Sequence, residues 1–213
     1  MNSQTDKRLI AGPAGQIEVA IDLPPGSDSG ATPVGTALIC HPNPTQGGTM
    51  DNKVVQTLAR AFIQLGWRAV RFNFRGIGKS EGAWDEGRGE VDDAMAVHDA
   101  LRAPGETLVL AGFSFGGYVA AQAALRLTEP AQAAKRLVLV GPATSRFDTA
   151  PVPADTVVIH GEVDDVVPLS AVLDWARPQC LPVIVVPGVG HFFHGQLPLL
   201  KSLVVRAFDL TKI

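Results

Sequence analysis

Hydrophobic residues along this chain follow two different periods. Ile17, Val19 and Ile21 alternate with polar residues, which is typical of a half-buried strand. In residues 51–65, apolar side chains recur every three or four positions, which is typical of an amphipathic helix. Taken in order, the pattern predicts strands over residues 7–11, 16–23, 34–40, 67–74, 107–110, 136–141, 155–160 and 182–186, and helices over residues 51–65, 89–103, 118–125, 169–176 and 196–210.

Most of the later strands are apolar on both faces, and they alternate with the helices. Residues 137–140 and 157–159, for example, contain only Leu, Val and Ile. Such strands are typical of a parallel sheet that is covered on both sides. We therefore expect an α/β protein with one mostly parallel sheet of about eight strands and helices on both faces. No linker is long enough to suggest a second domain, so residues 1–213 are expected to form one domain.

The composition narrows the possible partners and the compartment. Of the 213 residues, 46% are hydrophobic and 18% are charged, and the net charge is −3. Without a basic stripe, neither nucleic acid nor an anionic membrane surface is expected as a partner. The first eight residues lack the apolar core of a signal peptide, and no apolar run reaches about 18 residues. Since Cys40 and Cys180 do not make a disulfide framework, we expect a cytoplasmic protein.

A G-x-S-x-G sequence joins a predicted strand to a predicted helix, which is the pattern of a nucleophile elbow. Ser114 at the tip of so sharp a turn is expected to have a positive φ, a strained conformation for a residue with a Cβ. The chain comes close to itself two residues before and after the serine, and Gly112 and Gly116 allow that approach. The backbone N–H of Phe115 would then point toward a developing oxyanion. The turn therefore predicts a nucleophilic serine.

The glycine-rich loop of residues 75–82 suggests phosphate binding but lacks the required spacing. A P-loop needs glycine where Asn73 stands, five positions before Gly78. A dinucleotide loop needs glycine where Glu81 stands. Nucleotide binding is therefore not expected.

The predicted helix over residues 89–103 carries four side chains of metal-ligating type. They are Glu90, Asp92, Asp93 and His98. Acidic side chains in the first turn are favoured by the helix dipole, and we expect them to face solvent there. No metal site is expected in this helix.

A serine hydroxyl becomes a good nucleophile only when a base takes its proton, and that base is usually histidine. His191 lies in a loop after the last predicted strand, between glycines that allow the loop to turn back over the sheet edge. His194 is a rival three residues on, and His41 ends a strand near the serine but precedes it in sequence. His191 is the preferred base.

The carboxylate that orients this base should follow a strand between the serine and the histidine. The segment of residues 160–168 follows such a strand and contains Glu162, Asp164 and Asp165. The position of the segment does not choose among the three carboxylates.

Taken together, these motifs resemble the α/β-hydrolase superfamily, in particular the small lidless bacterial serine hydrolases of the dienelactone-hydrolase-like and esterase branch. The resemblance covers nearly the whole chain. It rests on HPNP at 41–44, GGTMDNK at 47–53, NFRGIGKSEG at 73–82, the elbow, HGEVDDVVP at 160–168 and HFF at 191–193.

The resemblance implies the α/β-hydrolase fold and a role for each of these segments. In HGxxDxxVP the family's acid is the fifth residue, which implies Asp164 rather than Asp165. The order Ser114, Asp164, His191 is then the serine–acid–histidine order of the superfamily.

The resemblance also implies a second oxyanion donor, the backbone N–H just after the third strand. The family position corresponds to Asn43. Its neighbours Pro42 and Pro44 have no N–H, so Asn43 carries the only amide hydrogen in this tripeptide. The sequence departs from the usual His-Gly of the family by having proline at the glycine position.

Many members of the superfamily insert a helical cap between the strands that here are predicted to end at 141 and to begin at 155. The intervening residues 142–154 are rich in Pro, Ser and Thr and too short for a cap. We therefore expect no cap domain and an open site that suits small or exposed acyl groups. Serine at 114 favours esters over the substrate of the dienelactone hydrolases, which usually carry cysteine. Dehalogenases and epoxide hydrolases of this fold require aspartate there.

The sequence thus predicts a serine carboxylesterase or thioesterase that forms an acyl-enzyme on Ser114 and uses no metal or cofactor. The expected partner is a small-molecule ester, and the expected assembly is a monomer or small homo-oligomer. Two different functions stay open beside this one: a non-catalytic binding protein with a hydrolase fold, and a perhydrolase that uses the same three residues.

Overall fold

The computed structural model describes residues 5–27 and 30–209, and within them the chain forms eight strands and five α-helices. The strands are β1 (Asp6–Gly12), β2 (Gly15–Asp22), β3 (Thr36–Cys40), β4 (Arg68–Phe72), β5 (Leu108–Phe113), β6 (Arg136–Val140), β7 (Val157–Gly161) and β8 (Val183–Val186). The helices are α1 (Lys53–Gln64), α2 (Arg88–Leu101), α3 (Phe115–Arg126), α4 (Leu169–Ala176) and α5 (Leu197–Asp209).

Each predicted strand and helix is present, with ends that differ by a few residues. Two short 3₁₀ turns, Pro44–Gln46 and Arg177–Gln179, were not predicted. The last residue of the helix predicted over 196–210 lies outside the described residues, as do residues 1–4 of the segment expected to lack a signal core.

The eight strands form one sheet in the order β1-β2-β4-β3-β5-β6-β7-β8. The first two pairs, β1 with β2 and β2 with β4, are antiparallel, and the other five pairs are parallel. The prediction of a single, mostly parallel sheet of about eight strands is therefore confirmed. Because the carboxyl ends of parallel strands meet at one edge, the loops after β3, β5, β6, β7 and β8 all emerge there.

The central strands are apolar on both faces because each face is covered by helices. In β3, Ala37 and Ile39 belong to the core beneath α1 and α5, while Leu38 and Cys40 belong to the core beneath α2 and α3. All four side chains are buried. This double burial explains why the strands lack the alternating pattern of β2.

The start of α2 differs from its prediction. The carboxylate of Glu90 is fully buried and accepts hydrogen bonds from the backbone N–H groups of Asp85 (3.0 Å) and Gly87 (2.7 Å). The buried carboxylate of Asp93 pairs with the guanidinium of Arg75 at 2.8 Å. The expectation of a solvated acidic first turn is wrong for these two side chains, because each finds donors inside the protein.

The connection from β6 to β7, residues 141–156, contains no helix, in agreement with the expected lack of a cap domain. It lies against the body of the protein: Phe147 packs on the rings of Phe115 and Tyr118, each at 5.0 Å between centroids. Among the described residues, none of the helices has both the length and the apolar character that a membrane span requires.

Candidate active site

Ser114 lies at the tip of a strained turn between β5 and α3. Its backbone has φ 55° and ψ −118°, as the elbow pattern predicts. A Cβ on Gly112 would overlap the carbonyl oxygen of Gly116, and a Cβ on Gly116 would overlap the carbonyl oxygen of Cys40. The two glycines therefore let the turn close on itself and let α3 begin directly against the end of β3.

The backbone around Ser114 is tied to the neighbouring strand β6. The N–H of Ser114 donates to the carbonyl oxygen of Val140 at 2.9 Å, and the N–H of Ala143 donates to the carbonyl oxygen of Ser114 at 3.2 Å. These bonds hold the strained residue at the carboxyl edge of the sheet. Because the turn is supported on both sides, the hydroxyl can be presented without relaxation of the backbone.

Asp164 is buried in the turn after β7, where its two carboxylate oxygens have separate partners. Oδ1 accepts hydrogen bonds from the backbone N–H groups of Val166 (3.0 Å) and Val167 (2.7 Å). Oδ2 lies 2.6 Å from Nδ1 of His191. Burial acts to raise the pKa of Asp164, but the hydrogen bonds from His191 and Val167 outweigh it, so the pKa lies below its ordinary value. The carboxylate is therefore ionised at neutral pH.

His191 is buried beside this carboxylate, although 27 residues separate the two in sequence. A carboxylate accepts hydrogen bonds, so Nδ1 of His191 carries a hydrogen, and in the neutral tautomer of this ring the lone pair is on Nε2. The ring packs on Phe113, the residue before Ser114, at 4.8 Å between centroids. Gly141 lies against the same ring, since a Cβ there would sit 3.3 Å from Nδ1. These contacts hold the imidazole at the same sheet edge as the serine.

The hydroxyl of Ser114 and Nε2 of His191 have no hydrogen-bond partner among the described residues. Neither atom is among the fully enclosed polar atoms that lack a partner, so both remain accessible to solvent. Hydrogen bonds between a nucleophile and its base are often long in a resting enzyme and shorten when substrate binds. The structure thus places Ser114, Asp164 and His191 together at one edge and leaves two reactive atoms open.

The two predicted oxyanion donors also lie at this edge. The N–H of Phe115 is the first of α3, and neither it nor the N–H of Asn43 donates to a protein acceptor within the described residues. The loop of Asn43 is held by its own atoms, because its carbonyl oxygen accepts from the N–H groups of Gln46 (3.1 Å) and Gly48 (2.9 Å). Two free backbone donors at the edge that presents a strained serine are the groups that an oxyanion hole requires.

His41 is ruled out as the base by its hydrogen bonds. Its Nε2 accepts from the backbone N–H of Phe74 at 3.0 Å, so Nδ1 carries the hydrogen and donates to the carbonyl oxygen of Pro42 at 2.6 Å. Burial lowers the pKa of His41 to about 3, against a smaller opposite effect of the bond to Pro42. This neutral imidazole fastens the loop of Asn43 to the end of β4.

The rival base His194 and the rival acid Asp165 are both exposed. His194 lies at the surface, where its ring stacks on Phe192 at 5.8 Å between centroids. Asp165 is exposed beside the buried Asp164. The hydrogen bond from His191 goes to Asp164, as the family resemblance implies.

Sequence reasoning assigned no role to Gly161 or to the imidazole of His160. A Cβ on Gly161 would overlap the carbonyl oxygen of Val189, so this glycine admits the loop that carries His191. His160 is completely buried, with Nε2 3.6 Å from Oδ2 of Asp164. The only signal in the sequence is the His-Gly pair at the end of β7, which is part of the HGxxDxxVP motif.

Within the described parts of the chain, no three His, Cys, Asp or Glu side chains are arranged to hold a metal ion.

Several known proteins are similar to this chain over most of its length. An uncharacterized protein of Rickettsia prowazekii is 31% identical over 173 residues, which are 74% of this chain and 71% of that protein. A crystal structure from Xanthomonas campestris is described as an α/β serine hydrolase without a lid. It is 39% identical to this chain and has a TM-score of 0.88, and the match covers 98% of this chain and 95% of the Xanthomonas chain. An α/β serine hydrolase homologue from Coxiella burnetii is also 39% identical, and the match covers 94% of this chain and 96% of the Coxiella chain, with a TM-score of 0.77.

The model of one protein family matches residues 35–158, which is more than half of the chain. Its description is serine aminopeptidase, S33. The match includes β3 to β6 and therefore the elbow and the loop of Asn43. The chain belongs to this family of hydrolases, within the α/β-hydrolase superfamily.

Proposed function

We propose that this protein hydrolyses carboxylic esters or thioesters of small or exposed acyl groups, through an acyl-enzyme formed on Ser114. One observation carries the proposal: Asp164 occupies Nδ1 of His191 and leaves its Nε2 as an accessible base at the edge that presents Ser114. Binding alone requires neither a strained serine nor an oriented base.

In the proposed mechanism, Oγ of Ser114 attacks the acyl carbon and its proton passes to Nε2 of His191. The carbonyl oxygen becomes an oxyanion, which the N–H groups of Phe115 and Asn43 stabilise, each by roughly 3 kcal/mol as in other such sites. The C–O or C–S bond then breaks, and the leaving group takes the proton from Nε2. Asp164 stays ionised throughout and stabilises the imidazolium.

The second half of the reaction repeats these steps with water. Nε2 of His191 takes a proton from water as its oxygen attacks the acyl carbon, and the same two amides hold the second oxyanion. The bond to Oγ of Ser114 breaks, the proton returns to that oxygen, and the acid leaves. No external reductant, metal or cofactor enters either half.

The surroundings of the site favour small or exposed substrate groups. Beside the histidine, Phe192 stands edge-on to the ring of His191 at 5.1 Å and is 43% exposed. Beside the acid, Val163 is 58% exposed. These side chains offer a small apolar surface, and the connection over residues 141–156 adds no cap to enclose a long chain.

The decisive experiment is a panel of p-nitrophenyl esters and matched thioesters with acyl groups from acetyl to dodecanoyl. We expect kcat/KM to be highest for short acyl groups, and a maximum at long ones would contradict the open site. Replacement Ser114→Ala is expected to lower kcat on the order of 10⁶-fold. Full turnover of p-nitrophenyl acetate by that variant would refute the assignment of the nucleophile.

Three further outcomes would point to other functions. A wild-type protein that does not react with a fluorophosphonate probe would be a binding protein with a hydrolase fold. Peroxide-dependent halogenation would identify a perhydrolase. Cleavage of amino-acid p-nitroanilides without cleavage of esters would identify the aminopeptidase activity for which the family is named.

We also propose that the protein acts in the cytoplasm. Cys40 and Cys180 are both free thiols, one buried and the other exposed, which fits a reducing compartment.

A further inference from the structure

The buried imidazole of His160 has a defined tautomer. Its Nε2 lies 3.0 Å from the carbonyl oxygen of Val167, and a carbonyl oxygen only accepts hydrogen bonds. Nε2 must therefore carry the hydrogen. Nδ1 then carries a lone pair, and it is buried without a partner among the described residues. A buried nitrogen without a hydrogen bond destabilises the protein, so the interactions of Nε2, on the opposite side of the imidazole, must offset that cost.

Nε2 of His160 is part of a closed set of contacts around Asp164. The Nε2–H of the His160 ring donates to the carbonyl oxygen of Val167, and the backbone N–H of Val167 donates to Oδ1 of Asp164 at 2.7 Å. Nε2 of His160 also faces Oδ2 of Asp164 at 3.6 Å. Oδ2 is the oxygen that accepts from Nδ1 of His191 at 2.6 Å. Oδ2 of Asp164 thus faces two buried imidazoles, that of His191 at hydrogen-bond distance and that of His160 slightly farther away.

The charge of His160 suits this place. Burial lowers the pKa of His160. The charge of Asp164 and the hydrogen bond to Val167 act to raise this pKa, and the nearby His191 acts to lower it. These three residues are the groups that face the imidazole. A neutral ring can donate a hydrogen bond without competing as a cation for the negative charge of Asp164. That charge remains available to the imidazolium that forms at His191 during catalysis.

We propose that His160 is a positioning residue for the reaction on Ser114, and that it fixes the turn after β7 so that Oδ2 of Asp164 faces Nδ1 of His191. The inference rests on the proposed function. His160 acts through Asp164 and Val167, since its side chain is fully enclosed and its Nε2 faces these two residues.

Two variants separate positioning from mere folding. His160→Gln keeps an N–H near the position of Nε2, whereas His160→Leu fills similar space without a donor. With p-nitrophenyl acetate, we expect His160→Leu to lower kcat on the order of 10- to 100-fold, as loss of comparable supports does elsewhere, with little change in KM. The acidic limb of its kcat/KM profile should move to lower pH, because a misdirected carboxylate stabilises the imidazolium of His191 less. His160→Gln should restore both.

Several results would overturn the proposal. One is a His160→Leu variant with a lower melting temperature but unchanged kcat and acidic limb. Another is a His160→Gln variant as impaired as His160→Leu. A limb that moves to higher pH would show that His160 acts on the charge of Asp164 rather than on its position.

A second readout does not depend on hydrolysis. The hydrogen on Nδ1 of His191, bonded to a carboxylate at 2.6 Å, should give a far-downfield proton NMR signal. That signal should weaken or shift in His160→Leu and persist in His160→Gln. If the wild type neither cleaves esters nor reacts with a fluorophosphonate, the proposed function fails, while this signal still decides whether His160 positions Asp164. An unchanged signal in His160→Leu would overturn the positioning role.

Discussion

The carbonyl oxygen of Val189 lies against Cα of Gly161, in the space that a Cβ would occupy. Gly161 ends β7 and begins the turn of Asp164, and Val189 belongs to the loop of His191. The N–H of Val163 donates to the same carbonyl oxygen at 3.1 Å. The distance between the acid and the base therefore depends on a residue that has no side chain.

Replacement Gly161→Ala is expected to push the loop of His191 away and lower kcat on the order of 10²-fold, because small misplacements of a catalytic group are that costly. Gly190→Ala is the matched control, since a Cβ there would lie 3.8 Å from the nearest atom, the carbonyl oxygen of Val163. Steady-state kinetics of both variants check this. Equal kcat values for the two would contradict it.

Asn43→Pro removes one amide hydrogen with little change of backbone. Asn43 already has φ −51° and ψ 119°, which proline tolerates. Loss of one oxyanion donor is expected to lower kcat by ~10²–10³-fold. Asn43→Ala keeps the N–H and loses only the side chain that caps the short turn at Pro44–Gln46. If both variants lose the same activity, the amide of Asn43 is not the donor.

Asp164→Asn should lower kcat on the order of 10⁴-fold, because an amide cannot hold His191 with the hydrogen on Nδ1 while stabilising its cation. The neighbouring Asp165→Asn changes the same charge at an exposed position and should leave kcat within a factor of about two. The comparison needs only ester hydrolysis rates at one pH. A large loss in Asp165→Asn would reverse the assignment of the acid.

The strain at Ser114 predicts that glycine in its place gives a more stable protein than alanine does. Ser114→Gly and Ser114→Ala both remove the nucleophile, but glycine alone tolerates φ 55° and ψ −118°. We expect Ser114→Gly to be more stable than Ser114→Ala by about 1 kcal/mol, after the entropic cost of glycine. Urea unfolding of the two variants measures the difference. A less stable glycine variant would show that the turn is not strained.

The burial of His41 predicts a dependence of stability on pH. Its pKa is about 3 in the folded protein, so between pH 3 and the unfolded value near 6.5 only the unfolded chain binds this proton. This contribution is complete above about pH 6.5 and is lost as the pH falls, by about 2 kcal/mol at pH 5.

The test compares wild type with His41→Gln by urea unfolding from pH 4 to pH 8. The variant is expected to be less stable at pH 8, because it lacks the hydrogen bonds to Pro42 and Phe74. The slope of its free energy of unfolding against pH should be smaller than that of the wild type, by an amount that corresponds to at most one bound proton. The same slope in both proteins would mean that His41 is not buried as a neutral base.

The order of strands and helices could be predicted because it depends on neighbours in sequence. Alternation predicted β2, continuous apolar runs predicted the central strands, and the two glycines around Ser114 predicted the elbow and its positive φ. Each of these features reflects burial or sterics within a few residues, so the sequence determined them without reference to the rest of the fold.

Contacts between distant segments could be decided only by the tertiary structure. Asp164 is buried and Asp165 is exposed, and both nitrogens of His41 are hydrogen-bonded. These states depend on which strand ends lie side by side. Glu90 was expected in solvent, yet its carboxylate is buried and accepts hydrogen bonds from N–H groups of the preceding turn. The sequence by itself determined the fold class and the serine turn. The sheet order β4-β3-β5-β6-β7-β8 decided which imidazole meets which carboxylate, because hydrogen bonding requires atoms within about 3 Å, and only the packing of remote segments sets such distances.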